Sequence, residues 1–319
     1  MRETEYAFAV ARVRANEPAL LTEDDIGLLI SAENEHSALR ILADRGWDEP
    51  ADGKDIFDMQ AAKAWDMIER SVPDPALLEA MVIGNDFFNV KAAIKAVFSD
   101  IDPEEYMASP CLCDTKTVIK AVTENDFSLL PDYLAEYADT AYHRISGGES
   151  GQSAEMILDK ASLEKRLALA EKSECPLLTD IVKLGAVLSD IKIAKRCAHT
   201  GKKRETALES MCPVEGLDIE ALVRAAYEGK EIREIIADAG FAEIAPLADG
   251  DFSALEMKCD NLITEMIKKA KYDAFGPDPV VAYYYAKLAE IKNVRIILSA
   301  KAAGVPTETI KERVRSVYV

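Results

Sequence analysis

DFFNVKAAIKA (residues 86–96), DIKIAKRCAHT (190–200) and EIKNVRIILSA (290–300) are three versions of one pattern, set 104 and then 100 residues apart. Sliding the first onto the second places Ala80, Ile83, Phe87, Val90 and Ile94 over Leu184, Val187, Ile191, Ala194 and Ala198. The next step places them over Tyr284, Lys287, Ile291, Val294 and Leu298. The spacing of 3, 4, 3, 4 is the stripe of an amphipathic helix, and only Lys287 breaks the apolar column. Each version carries an acid (Asp86, Asp190, Glu290) and, five residues on, a base (Lys91, Lys195, Arg295). An offset of 204 also brings Pro73-Asp74-Pro75 onto Pro277-Asp278-Pro279, where Asp fits an N-cap and the second Pro fits the first turn. A pattern that returns at this period predicts three helical units, with limits near 1–105, 106–210 and 211–319.

Composition supports an all-α chain. Ala, Leu, Ile, Glu, Lys and Asp dominate, while Gly and Pro number 15 and 13 of 319 residues. The helical segments expected in the first unit are 3–15, one capped by Thr22 with Asp25, 33–44 ended by Gly46, 61–69 and 75–99, with 48–58 as a loop. The second unit reads as helical over 114–142, 154–171 and 177–200, with SGGESGQS (146–153) as a loop. The third reads as helical from 219 to 262 and beyond, broken at Phe275-Gly276-Pro277 and resuming over 279–302 and 307–317. No alternation marks a sheet.

The chain has a formal net charge of −19. Such a balance argues against nucleic acid and against adsorption to an anionic bilayer. The one basic concentration, from Lys192 to Arg204, could meet an acidic protein surface, or is the solvated face and end of a helix, where cations complement the dipole. No stretch reaches the roughly 18 apolar residues that a spanning helix needs. The charged start does not resemble a secretory signal, so a soluble cytoplasmic protein is expected. Six scattered cysteines read as thiols in a reducing compartment.

Chemistry is not legible. Gly147, Gly148 and Gly151 lack the Lys-Ser/Thr of a phosphate loop, Cys111-Leu112-Cys113 has no second pair to complete a zinc site, and His36, His143 and His199 stand in unrelated settings. No nucleophile, base and orienter form a set, so neither a catalytic site nor a cofactor or metal is expected. The repeated charges are the candidates for function. Residues five apart lie about 140° apart around a helix, so Asp86 and Lys91, Asp190 and Lys195, and Glu290 and Arg295 cannot pair with each other. Their partners must lie elsewhere: between units, on a partner protein, or in solvent as charges inherited by duplication.

The opening YAFAVARVRANEPALL from Tyr6, the closing YYYAKLAEIKNVRIILSAKAAGVPTETIKERVRSVYV from Tyr283 and the three repeats together resemble the C-subunit family of prokaryotic V-type (A-type) ATP synthases, to which the eukaryotic d subunit is related. The resemblance spans the chain and is most specific at Glu290, Asn293 and Arg295 and at 315–319. Ile193 departs from it, standing where the other repeats have Asn89 and Asn293. The family implies three similar helical domains around a pseudo-threefold axis, forming a funnel. It implies a non-catalytic central-stalk rotor component that couples a shaft of the D and F subunits to the proteolipid ring, peripheral on the cytoplasmic face. The missing phosphate loop, the missing spanning segment and the negative charge predict an isolated protein that is monomeric or weakly associating. A helical-repeat scaffold or adaptor is the alternative from another class.

Overall fold

The computed structural model describes residues 5–48 and 55–319, and among them there is no strand. The protein is all-α. It divides into two compact units, one made of Met1–Pro73 with Glu256–Val319 and the other of Asp74–Leu255. The cut at 73/74 falls just before the first repeat helix. That helix is therefore grouped with the residues after it, and the third with the start of the chain.

The Met1–Pro73 and Glu256–Val319 unit contains α1 (Ala7–Asn16), α2 (Glu23–Ser31), α3 (Glu35–Asp44) and α4 (Ile56–Glu69). The expected start at residue 3 and most of the expected 48–58 loop lie outside the described residues. Helix α4 begins at Ile56, five residues before the expected Ala61, because Asp55 caps it by accepting the Phe57 N–H. Thr22 and Asp25 form the expected reciprocal box, each side chain accepting the other's backbone N–H. Gly46 closes α3 with φ +81°, a conformation in which an L side chain is strained.

The Asp74–Leu255 unit contains α5 (Pro75–Ser99), α6 (Thr115–Glu124), α7 (Asp132–Ser146), α8 (Gly151–Lys172), α9 (Pro176–His199), α10 (Arg204–Ser210), α11 (Ile219–Tyr227) and α12 (Arg233–Ile236). Asp74 caps α5 through the Ala76 N–H, with Pro75 at the first position. The expected 114–142 helix is two helices: Asn125 stops α6 in the left-handed region, a conformation short amide side chains tolerate. The expected 146–153 loop narrows to four residues, since α8 starts at Gly151.

Helix α13 (Phe252–Lys269) runs across the boundary between the two units, and α14 (Asp278–Ala302) and α15 (Thr307–Lys311) complete the chain. At α14 the N-cap is Pro277 and Asp278 stands in the first turn, so the capping parallel with Asp74 does not hold. The expected 307–317 helix ends at Lys311, and 314–319 carries no regular structure.

The cores follow the same grouping. In the larger unit, Ile83, Phe87, Val90 and Ile94 of the first repeat helix, α5, pack with Val118, Leu134 and Leu158. Helix α5 lies closely along α8; a Cβ added at Gly84 would sit 3.2 Å from Arg166 Cδ, so glycine sets the approach. In the other unit, Ile291, Val294 and Ile297 of the third repeat helix, α14, pack with Leu29, Leu42, Trp47 and Ile56. The stripe read from the sequence is thus the core face, each fully buried aliphatic residue contributing about 1.5–3 kcal/mol.

Candidate functional site

All three repeated acids are buried, and each accepts a backbone N–H from the segment that leads into another helix. Asp86, wholly buried in α5, accepts the N–H groups of Leu112 (2.8 Å) and Cys113 (3.2 Å) through Oδ1 and the Tyr133 hydroxyl (2.6 Å) through Oδ2. Asp190, equally buried in α9, accepts the Cys212 N–H at 3.0 Å through Oδ1. Its Oδ2 has no hydrogen-bond partner among the described residues. Glu290 in α14 accepts the Leu21 N–H at 2.6 Å through Oε2, while Lys287 Nζ lies 2.5 Å from Oε1. Leu21 immediately precedes the Thr22 cap of α2, and Cys113 precedes Asp114, the cap of α6. Asp86 and Glu290 thus fix the chain just where a helix begins, and Asp190 fixes it just after α10 ends.

The asparagines three residues on make a second clasp. Asn89 Nδ2 donates to the Ala108 carbonyl at 3.1 Å and its Oδ1 accepts the Ala108 N–H at 2.6 Å. Asn293 treats Arg315 identically, at 3.0 and 2.8 Å. Only an amide offers donor and acceptor side by side for one residue's backbone. Ile193 cannot do this, and the second repeat helix lacks that clasp.

The repeated bases reach toward other long helices. Lys91 Nζ lies 2.6 Å from Asp159 on α8. Lys195 Nζ donates to the carbonyls of Ala248 and Gly250, at 3.1 and 3.0 Å, and lies over the Phe252 ring at the start of α13. Arg295 stacks on Phe57 in α4, its guanidinium 4.6 Å from the ring centre. Taken with the acids, the first repeat helix is fastened to 108–159, the second to 212–252 and the third to 21–57. Of the basic stretch from Lys192 to Arg204, Arg196 also lies over Phe252 and Arg204 over Tyr227, so these side chains are packed on rings as well as solvated.

Electrostatics separate the three acids. Burial raises the Asp86 carboxyl above the ordinary range, against which the Tyr133, Cys113 and Leu112 donors act to lower it. Burial pushes Asp190 up to about 7, with the Cys212 N–H and the Lys160 charge opposing weakly. Burial next to Asp190 likewise raises the Cys212 thiol to about 12, so it is no nucleophile at neutral pH. Cys111 and Cys113, desolvated beside Asp86, stand near 11. Lys287 is the buried counter-charge of Glu290 and lies over the Trp47 ring. Among the described residues no group of three or more His, Cys, Asp or Glu is placed to hold a metal ion. Nor is any of their helices long and apolar enough to cross a membrane.

Sequence reasoning missed Tyr133, Lys287 as a partner, and the backbone amides at Leu21, Ala108, Cys113 and Cys212. Lys287 carried a signal, a cation in an apolar column three residues before an acid. The amides carried none.

Fold and site together define an all-helical repeat protein whose buried polar groups fasten its own segments. Residues 9–313 match the model of the ATP synthase (C/AC39) subunit family, and the chain belongs to that family. It is 21% identical over 321 residues to the C subunit of the V-type sodium ATPase of Enterococcus hirae, covering 96% of this chain and 97% of that protein. To the C subunit of the A-type ATP synthase of Methanocaldococcus jannaschii it is 23% identical over 350 residues, covering 96% and 85%. To that of Thermococcus kodakarensis it is 23% identical over 342 residues, covering 98% and 91%.

Proposed function

We propose that the chain is the non-catalytic central-stalk rotor component of a V/A-type ATP synthase or ATPase, joining a D/F shaft to the proteolipid ring on the cytoplasmic face of the membrane. The names of its relatives support membership of such a complex. The observation that carries the mechanical part is the order of the clasps. The first two repeat helices hold the segments after them, and the third holds the beginning of the chain, Leu21 and Phe57. A connector that passes torque must not yield between its parts, and bonds that fix the segments between helices remove the loosest joints. In this reading the three repeats are three similar domains about a pseudo-threefold axis, forming a funnel, and Asp86, Lys91, Asp190, Lys195, Glu290 and Arg295 set the angles between them. The protein turns over no nucleotide itself.

Reconstitution with purified shaft and ring tests this. The wild-type chain is expected to bridge them in a pull-down, and Arg295→Glu to weaken the bridge several-fold more than Lys203→Glu, whose site is an exposed helix start. Failure of the folded wild-type chain to bind either partner, or equal tolerance of both reversals, contradicts the proposal.

A further inference from the structure

The unit formed by Met1–Pro73 and Glu256–Val319 holds a groove of about 500 Å³ between α2, α13 and the segment after α15. Its apolar lining includes Ile26, Ile30, Val314 and Val317. Its charges are the cations Lys268, Lys311 and Arg315 against one carboxylate, Glu23. On a chain of net charge −19 this is a local inversion of sign. We propose that the groove docks an extended segment of a partner protein in which acidic side chains alternate with apolar ones.

The geometry of each wall supports that occupant. Asp260 Oδ2 is shared by Lys292, at 2.6 Å, and Arg315 Nε, at 3.0 Å, so one carboxylate meets two cations and positive charge is left over. Lys311 is paired with the exposed Glu308 at 2.8 Å, a contact that water screens. The 314–319 segment, which has no regular structure, is tied down by side chains: Asn293 accepts the Arg315 N–H and Asn261 the Ser316 N–H. The backbone of Val317 makes no hydrogen bond among the described residues. A backbone outside any helix with a spare donor and acceptor can pair with an added segment, in which pairing supplies affinity and side-chain pockets supply choice. Opposite it, Gly27 leaves the middle of α2 bare, and a Cβ there would meet nothing within 4 Å. Glycine inside a helix is less favourable than alanine, and here it leaves width in the groove.

Fluorescence anisotropy on the full chain tests the proposal without shaft or ring, so its outcome is separate from that of the rotor assignment. The probes are end-blocked, fluorescein-labelled octapeptides of alternating Val and Asp or of alternating Val and Lys. The acidic peptide is expected to bind at least tenfold more tightly than the basic one and to weaken with added salt. Gly27→Trp, which fills the groove from an open position, is expected to weaken it at least tenfold with helicity and Tm retained, and Lys268→Glu with Lys311→Glu to do the same. Equal affinity for the two peptides, or acidic-peptide binding indifferent to Gly27→Trp, overturns the proposal. So does binding of phosphatidylglycerol vesicles that Gly27→Trp abolishes where the peptide shows none.

Discussion

Asp86 and Asp190 occupy the same place in the repeat, both without solvent exposure, yet their surroundings differ in what they offer a carboxylate. Asp86 has three donors and an asparagine clasp one turn on; Asp190 has a single N–H, an unpartnered oxygen and Ile193 one turn on. Glu290 solves the problem a third way, with a buried lysine. A buried ionised carboxylate is costly unless hydrogen-bonded or paired. The comparison teaches that one fastening position can recur in a repeated pattern while the means of carrying its charge differ, and that the second repeat helix is the one whose fastening depends most on pH.

The third clasp gives the largest expected effect. Lys287→Ala leaves Glu290 buried without its counter-charge and is expected to destabilise the protein by about 3–5 kcal/mol in urea unfolding. Lys287→Met with Glu290→Gln, which keeps an acceptor for the Leu21 N–H, should recover most of that. If the single substitution is as mild as the double, Glu290 is not a buried charge in need of a partner.

The second clasp gives an effect of similar size spread over pH. Asp190 binds its proton more tightly in the folded state, about 7 against 3.8, so its contribution is fully present below pH 3.8 and is lost as pH rises towards 7. The loss is on the order of 4 kcal/mol. In Asp190→Asn that part of the pH dependence is expected to vanish, so the wild type should lose unfolding free energy relative to the variant as pH rises from about 4 to 7. Parallel curves would mean that Asp190 titrates normally. The smallest effect belongs to the amide clasp: Asn89→Ala leaves both polar groups of Ala108 without that partner and is expected to cost about 2 kcal/mol. No measurable change would show that water replaces the clasp.

The repeat helices were legible because a stripe of 3 and 4 is what a half-buried helix imposes on sequence, and α5 was read to the residue from Asp74, Pro75 and Ser99. Asp86, Asp190 and Glu290 stood out for recurring, and five-residue spacing correctly denied them their neighbouring bases. Their partners were hidden, since a backbone N–H looks the same at every residue and Leu21 lies 269 positions from Glu290. The 314–319 segment misread as helix for a related reason: its apolar spacing suits a helix, while Asn261 and Asn293, which hold it out of one, are distant in sequence. Asn125 and the stop it makes were lost inside a periodic stretch. The compact units were hidden too, because the first repeat helix packs with the segments after it and the third with the start of the chain.

Asp86 and Glu290 fasten the chain where other helices begin, and Asp190 fastens it where α10 ends. Native-state amide exchange at Leu21, Cys113 and Cys212 tests this most directly. The account predicts strong protection at Leu21 and Cys113 at both pH 5 and pH 8, protection at Cys212 that differs between the two, and its loss at Leu21 alone in Glu290→Ala. Exchange at all three at the rate of an unstructured chain, or protection at Leu21 unchanged by Glu290→Ala, would contradict it.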